Sequence, residues 1–224
     1  MEMIEELSRL PSPAKRPHAL AFDGQRLWVG SVETSRIYSI DPVTWMARKE
    51  GITPGAGAEG SQGKPWGMTV VGDELRVCYG IGDEDDRVIA RFVPGHGFHG
   101  TPIPCPDDTG SQLAYDGERL FLSQFYKRRI LAIDESGAVG TVIEAPRDIV
   151  GMTIVEGRFY VATTDDESGP LCYLTRIDAR GPAPVVEDIA TVPFSMRSLA
   201  FDGARFWTND READQVVAFA RPDA

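Results

Sequence analysis

One short segment recurs five times along the chain and constrains the fold more than any other feature. Each copy contains an apolar strand, a tight turn with Gly beside an acidic residue, and a second strand rich in aromatic and β-branched residues. This pattern predicts a β-hairpin. The copies span residues 19–30, 67–78, 112–123, 151–162 and 198–209. They recur about every 45 residues, which is the period of a four-stranded propeller blade.

The remainder of each repeat supplies the outer half of a blade. Third strands are predicted over residues 36–41, 87–93, 129–134, 172–178 and 215–220. Fourth strands such as 140–144 and 185–190 follow, but the chain ends after the third strand of the fifth repeat. Residues 4–11 resemble residues 186–193 and also precede an Ala-Phe-Asp-Gly hairpin. We therefore expect this first segment to complete the last blade and cover its exposed edge.

These segments predict an all-β fold: a five-bladed β-propeller with four-stranded antiparallel blades, closed by the N-terminal strand. Residues 1–224 are interpreted as a single propeller domain. Positions expected to face the axis are small, among them Ala19, Gly67, Ala114, Gly151 and Ala200. Small side chains suit an axis on which all blades converge.

Composition and charge limit the partners that the protein could bind and the cellular compartment in which it could act. The net charge is −11 and no basic stripe is present, so we expect no nucleic-acid partner. The N-terminus is acidic where a secretory signal is basic, and no apolar run approaches the ~18 residues that cross a bilayer. We therefore expect a cytoplasmic protein without a membrane partner. Cys78, Cys105 and Cys172 show no CxxC spacing and are expected to be buried or incidental thiols.

The unit Leu-Ala-Phe-Asp-Gly-x-Arg-Leu-Trp-Val, followed by Ile-Tyr-Ser-Ile-Asp, resembles the blade motif of a broad propeller superfamily. That superfamily includes NHL-repeat, YncE-like, SMP-30/gluconolactonase and virginiamycin B lyase proteins, and the five-bladed glutaminyl cyclotransferases. The resemblance covers nearly the whole chain. It implies a fold and leaves the reaction open, because such proteins include lactonases, lyases, cyclotransferases and scaffolds without activity.

The catalytic patterns of individual members are incomplete in this chain. SMP-30-like lactonases are similar in holding a metal with Glu, Asn and Asp, whereas the only Asn here is Asn209 and no inner strand begins with Glu. The lyase pattern needs paired His and Glu, and only His18 leads into an inner strand. The cyclotransferase Trp-Gly-Leu element resembles residues 66–68, but the Glu of a second element is replaced by Val29. No specific member is matched.

One face of a propeller collects the loops that lead into the inner strands and those between the second and third strands. The funnel they form is suited to ligand binding. The residues leading into the five inner strands are His18, Trp66, Ser111, Val150 and Arg197. The candidate catalytic residues of the two loop sets are His18, Arg197, Glu33 and Asp165. The candidate ligand-binding residues are Trp66, Gln112, Tyr126 and Asn209.

Each residue type suggests a role. His18 is the candidate acid–base group because imidazole titrates near neutral pH. Arg197 would hold a carboxylate or oxyanion, and Trp66 would form an apolar wall. Glu33 or Asp165 would orient the imidazole. The alternative is that all are hydrogen-bonded rim residues without catalytic duty. Alanine at His18 or Arg197 is expected to leave stability nearly unchanged, because little apolar area is lost.

Two clusters were candidates for metal binding, and neither pattern is complete. The acidic run 82–86 lacks the spacing of an EF-hand. His96 and His99 form an HxxH pair without a third ligand, in a turn on the face opposite the funnel. No metal site is predicted. The chain has no Walker loop, GxSxG or GxGxxG motif, and the sequence leaves the cofactor unknown.

The function hypothesis is an enzyme acting on a small-molecule ligand in the central funnel, by acid–base chemistry of the lyase, cyclase or hydrolase kind. The alternative is a propeller without activity that binds a ligand or a protein partner. Both need a polar funnel, so the sequence does not separate them, and it does not indicate an oligomeric state.

Overall fold

The computed structural model describes residues 1–55, 63–80 and 86–222, which form five four-stranded antiparallel sheets. The first strand of the chain, β1, spans Glu6–Pro11. The first sheet contains β2 (Pro17–Phe22), β3 (Leu27–Ser31), β4 (Arg36–Ile40) and β5 (Ala47–Ile52). The second contains β6 (Lys64–Val71), β7 (Glu74–Gly80), β8 (Val88–Val93) and β9 (Gly97–Pro104).

A short 3-10 helix, Pro106–Asp108, precedes the third sheet. This sheet contains β10 (Leu113–Tyr115), β11 (Leu120–Gln124), β12 (Arg129–Ile133) and β13 (Val139–Glu144). The fourth contains β14 (Asp148–Val155), β15 (Arg158–Thr164), β16 (Cys172–Asp178) and β17 (Val185–Val192). The fifth contains β18 (Met196–Phe201), β19 (Arg205–Asp210) and β20 (Gln215–Ala220), and β1 is its fourth strand.

The innermost strands of neighbouring sheets contact one another in a closed cycle. β2 contacts β6, β6 contacts β10, β10 contacts β14, β14 contacts β18, and β18 contacts β2. The sheets are therefore the blades of a five-bladed β-propeller, and the predicted fold is confirmed. The core lies between successive blades, where the apolar side chains of neighbouring sheets pack into separate clusters.

The Asp of the Asp-Gly turns stabilises the hairpins through its side chain. Asp23 Oδ1 accepts hydrogen bonds from two backbone N–H groups of its turn, and its Oδ2 accepts one from Trp28 Nε1 at 2.7 Å. Asp202 binds Trp207 Nε1 in the same way, also at 2.7 Å. Asp116 accepts from two backbone N–H groups of its own turn. The repeated Asp therefore fixes the turn and, in two blades, a tryptophan of the next strand.

Strand β1 closes the ring, as predicted. It pairs antiparallel with β20, where Leu10 lies opposite Val216. The Arg9 guanidinium donates a hydrogen bond to Asp210 Oδ2 at 2.6 Å, which ties the outer strand to the end of β19. Ile4 is buried in the cluster between blades four and five. The last blade therefore combines both ends of the chain.

Close backbone contact explains two of the small residues at the axis. A Cβ on Gly67 would lie 2.3 Å from the carbonyl oxygen of Ser111 in the next blade. A Cβ on Gly151 would lie 2.7 Å from the backbone of Ser198. Any larger residue would push neighbouring blades apart at these two points.

The structure also locates the cysteines and part of the acidic run. Within the described ranges, no helix has the length and apolar character needed to cross a membrane. Cys78, Cys105 and Cys172 are buried and free. Of the acidic run 82–86, only Asp86 belongs to the described residues.

Candidate functional site

A cavity of about 200 Å³ opens at the axis on the face where the inner strands begin. All five residues that lead into the inner strands line it: His18, Trp66, Ser111, Val150 and Arg197. Other loops add Arg87, Thr109, Gly110, Phe125, Tyr126 and Glu167. Every blade therefore contributes at least one side chain to the cavity.

Three of these side chains are carried by bulged residues. The pairing of β2 with β3 shifts register between Pro17 and Ala19, which leaves His18 without a partner residue. The same shift leaves Trp66 unpaired in β6 and Val150 unpaired in β14. A bulge bends its strand and redirects the side chain of the extra residue. Here these side chains meet at the mouth of the central channel.

The hydrogen bonds of His18 fix its tautomer. Nδ1 lies 2.8 Å from the carbonyl oxygen of Trp66, which also accepts a hydrogen bond from Gln112 Nε2 at 3.0 Å. A carbonyl oxygen only accepts hydrogen bonds, so Nδ1 carries the proton. The lone pair then resides on Nε2. The group that orients the imidazole is a backbone carbonyl rather than the predicted carboxylate of Glu33 or Asp165.

The surroundings of His18 keep it neutral. Burial lowers its pKa well below 6.5, and the charges of Arg197, Arg211 and Arg87 lower it further. The hydrogen bond to the Trp66 carbonyl acts in the opposite direction and is outweighed. At neutral pH His18 is therefore a base or a hydrogen-bond acceptor, and these surroundings do not favour a role as an acid.

The lowered pKa of His18 predicts a pH dependence of stability. In the unfolded chain the imidazole takes up a proton near pH 6.5, whereas in the folded chain it does so only at lower pH. Its contribution to stability is therefore complete above pH 6.5 and is lost as the pH falls toward the lowered pKa. We expect the loss to be about 1.4 kcal/mol per pH unit in that interval. Urea unfolding at pH 7.5, 6.5 and 5.5 measures it.

The control for this prediction is the His18→Gln variant, which cannot titrate in this range. The difference in free energy of unfolding between wild type and His18→Gln should shrink or reverse between pH 7.5 and 5.5. His96→Gln, at an exposed turn, should follow wild type at every pH. A constant difference between wild type and His18→Gln would contradict the neutral imidazole.

Arg197 is more deeply buried than the sequence suggested. Only 2% of the residue is exposed, and burial lowers the pKa of its guanidinium. Nη1 donates to the carbonyl of Met196 at 2.8 Å and to Ser195 Oγ at 3.3 Å, and Nη2 donates to the carbonyl of Glu167 at 3.2 Å. Alanine would leave these acceptors unpaired. The expectation that Arg197→Ala leaves stability unchanged is therefore revised.

Comparisons with known proteins show the fold but no family. No family model matches the chain, and no curated protein matches it. The solved structures it resembles include the PQQ-bound aldose sugar dehydrogenase of Streptomyces coelicolor, at 16% identity and a TM-score of 0.58, with 97% of each chain covered.

Two further solved structures are similar. Glutaminyl cyclase of Myxococcus xanthus matches at 9% identity and a TM-score of 0.66, with 97% of each chain covered. Virginiamycin B lyase of Staphylococcus aureus matches at 12% identity and a TM-score of 0.50, covering 96% of this chain and 98% of the other. The resemblance to propellers of the cyclase and lyase kinds is therefore confirmed for the fold.

The remaining candidate residues fall into two groups. Tyr126 lines the cavity, where its hydroxyl donates to Glu167 Oε2 at 3.1 Å. Gln112 and Asn209 are buried behind the wall: Gln112 supports the Trp66 carbonyl, and Asn209 Nδ2 donates to the carbonyl of His18 at 3.2 Å. These two hold the bulged residues in place.

Glu33 and Asp165 are not part of the cavity wall. Glu33 is exposed in the turn between β3 and β4. Asp165 is 65% exposed and forms an ion pair with Arg147 at 3.2 Å, away from His18. The carboxylate that lines the cavity, among the described residues, is Glu167, two residues further along the same loop.

Sequence reasoning also missed Arg87. Arg87 directly precedes β8, in one of the loops between a second and a third strand that are expected to reach the funnel. Its guanidinium carbon lies 4.3 Å above the Trp66 ring. In the part of the chain that the structure describes, no three His, Cys, Asp or Glu side chains are grouped as a metal ion would require. The cavity lining therefore includes an imidazole, an indole and two guanidinium groups.

Proposed function

We propose that this propeller is an enzyme that acts on a small molecule in the central cavity, with His18 as general base. The reaction class is proton abstraction followed by elimination, cyclisation or hydrolysis. A base of this kind accelerates such steps by removing a proton as the transition state forms.

The observation that carries the proposal is the state of His18. Its proton is held on Nδ1 by the Trp66 carbonyl, and its Nε2 lone pair belongs to a residue lining a cavity. His18 lies on a bulge, and three cationic side chains near it disfavour its protonation. A histidine that served only in packing would require neither feature. Support from Gln112 behind the carbonyl holds the same orientation.

The other cavity residues have roles that follow from their chemistry. Trp66 supplies a flat apolar wall beside the imidazole, since the two ring centroids are 5.0 Å apart in an edge-on arrangement. Arg197 supplies positive charge near the position where an oxyanion would develop. Phe125 and Tyr126 form the outer lip, where they contact each other edge-on. Three solved propellers of similar fold are a dehydrogenase, a cyclase and a lyase, so the fold is compatible with catalysis.

The proposed function is tested by a search for substrates in a mixture of metabolites. Wild type and His18→Gln are each incubated with a metabolite extract, and mass spectrometry follows which compounds disappear and which appear. We expect a substrate–product pair with wild type that is absent with His18→Gln. Compounds that bind wild type in a thermal-shift screen but are never converted would favour the alternative, a propeller that binds a ligand without chemistry.

A further inference from the structure

We propose that the cavity binds its ligand through a carboxylate, held between the guanidinium of Arg87 and the indole N–H of Trp66. The inference rests on the proposed function for what happens to that ligand, but not for its binding. It assigns the chemical class of the ligand, a small monocarboxylate, and it assigns Arg87 a role in recognition.

Two buried donors at the cavity have no acceptor. Trp66 Nε1 and Arg87 Nη1 are both shielded from solvent, and neither has a hydrogen-bond partner among the described residues. Leaving a buried N–H unpaired costs about 1–3 kcal/mol, so such donors are rare in folded proteins unless something else satisfies them. Both residues line the same cavity and stack on each other.

Among the described residues, the nearby carboxylates do not satisfy these donors. Asp86 Oδ1 is 4.0 Å from Arg87 Nη1, which is an ion pair without a hydrogen bond. Glu167 Oε2 accepts a hydrogen bond from the Tyr126 hydroxyl at 3.1 Å. The unmet requirement is for an acceptor, and a ligand oxygen would supply it.

The charge of the inner cavity also favours an anion. The donors of Arg197 are directed at neutral acceptors, namely two backbone carbonyls and the Ser195 hydroxyl. Its positive charge therefore has no hydrogen-bonded carboxylate among the described residues. Arg87 and Arg197 both act on His18, which places both guanidinium charges near the imidazole. An anion between them gains from both charges in a poorly solvated site.

Size and donor number favour a carboxylate over a phosphate. Two unpaired donor nitrogens match the two oxygens of a planar carboxylate, whereas a phosphate presents three or more oxygens to satisfy. The cavity of about 200 Å³ is slightly larger than the ~150 Å³ that accommodates benzene. Its apolar walls, Phe125, Val150 and the Trp66 ring, suit a short hydrocarbon or aromatic body attached to that carboxylate.

Binding of a carboxylate would also prepare His18 for its role. Burial lowers the pKa of the imidazole, and the positive charges of Arg197, Arg211 and Arg87 lower it further. A negative charge placed among them offsets that effect, so the ligand itself would make His18 a stronger base.

The test compares acids with their own amides, which have nearly the same shape without the charge. Benzoate, phenylacetate and hexanoate are each titrated against the full chain by calorimetry, alongside benzamide, phenylacetamide, hexanamide and inorganic phosphate. At least one acid should bind, and its amide should bind at least about tenfold more weakly. Arg87→Gln and Trp66→Phe should each raise Kd for that acid about ten- to hundredfold.

Arg180→Gln is the matched control, because it removes one positive charge from an exposed outer turn and should leave Kd unchanged. Equal binding of acid and amide, binding of phosphate alone, or no binding of any acid at millimolar concentration would overturn the inference. A substrate found to be neutral would overturn it while leaving the proposed function intact. Carboxylate binding that depends on Arg87, without any turnover, would support the inference and overturn the proposed function.

Discussion

Deleting residues 1–12 should destabilise the protein by on the order of 5 kcal/mol or more, which is comparable to the whole stability of many domains. The deletion removes Ile4 from a core cluster and exposes the edge of β20. It also removes Arg9, whose guanidinium donates a hydrogen bond to Asp210 Oδ2 at 2.6 Å, so Asp210 loses this ion pair. Thermal and urea unfolding of the truncated chain measure the loss.

A peptide of residues 1–12 added in trans provides the control for this deletion. It should restore much of the lost stability, because it can pair with β20 as β1 does. The same peptide with Ile4→Asp should restore less. A truncated chain with an unchanged melting temperature would show that the N-terminal strand does not hold the ring closed.

Replacing His18 by Gln should lower kcat/KM by about 10²–10⁴-fold on the substrate that the metabolite search identifies. Gln preserves much of the side-chain volume and can still donate a hydrogen bond to the Trp66 carbonyl, but its amide is not a base at neutral pH. With wild type, the rate should stay level through neutral pH and fall only near the lowered pKa of His18. Steady-state kinetics across pH provide both measurements.

His96→Gln is the matched control for this prediction, since it makes the same change in an exposed turn. It should leave kcat/KM within about twofold of wild type, as expected for a surface site. If His18→Gln retains full activity while its fold is intact, His18 is not the base and the cavity mechanism is wrong.

The fold was predictable because the repeat encodes it locally. Each hairpin turn carries its own stabilising Asp or Gly, and the apolar pattern repeats with the blade, so one motif read five times gave the architecture. The closure by residues 4–11 was predictable for a related reason: the segment resembles the fourth strand of another blade. Both conclusions follow from the repeat, even though the closure pairs the two ends of the chain.

The positions of the cavity residues were only partly predictable. His18, Trp66 and Arg197 were found because topology alone brings the starts of the inner strands together. The orientations of these side chains depend on β-bulges and on the hydrogen bond to the Trp66 carbonyl. No pattern of residue types predicts either feature. Those features are properties of the backbone path, so residue types alone did not reveal the tautomer of His18.

Two further cavity residues, the carboxylate of Glu167 and the guanidinium of Arg87, were not predicted, for a different reason. Loop residues two positions apart, such as Asp165 and Glu167, have similar chemistry, and the turn decides which of them faces the axis. Arg87 was not predicted because two three-dimensional features mark it as a site residue. Its guanidinium stacks on the Trp66 ring, and its Nη1 has no acceptor among the described residues. Both are facts of three-dimensional packing.

The most direct test of the account is the nitrogen NMR spectrum of His18, recorded with ¹⁵N-labelled histidine as the pH is lowered. The chain has three histidines, so His18 can be assigned by comparison with His18→Gln. The account predicts a neutral ring protonated on Nδ1 at pH 7, which stays neutral well below pH 6.5 and whose pKa rises when a bound carboxylate fills the cavity. A charged imidazolium at pH 7, or a proton on Nε2, would contradict it.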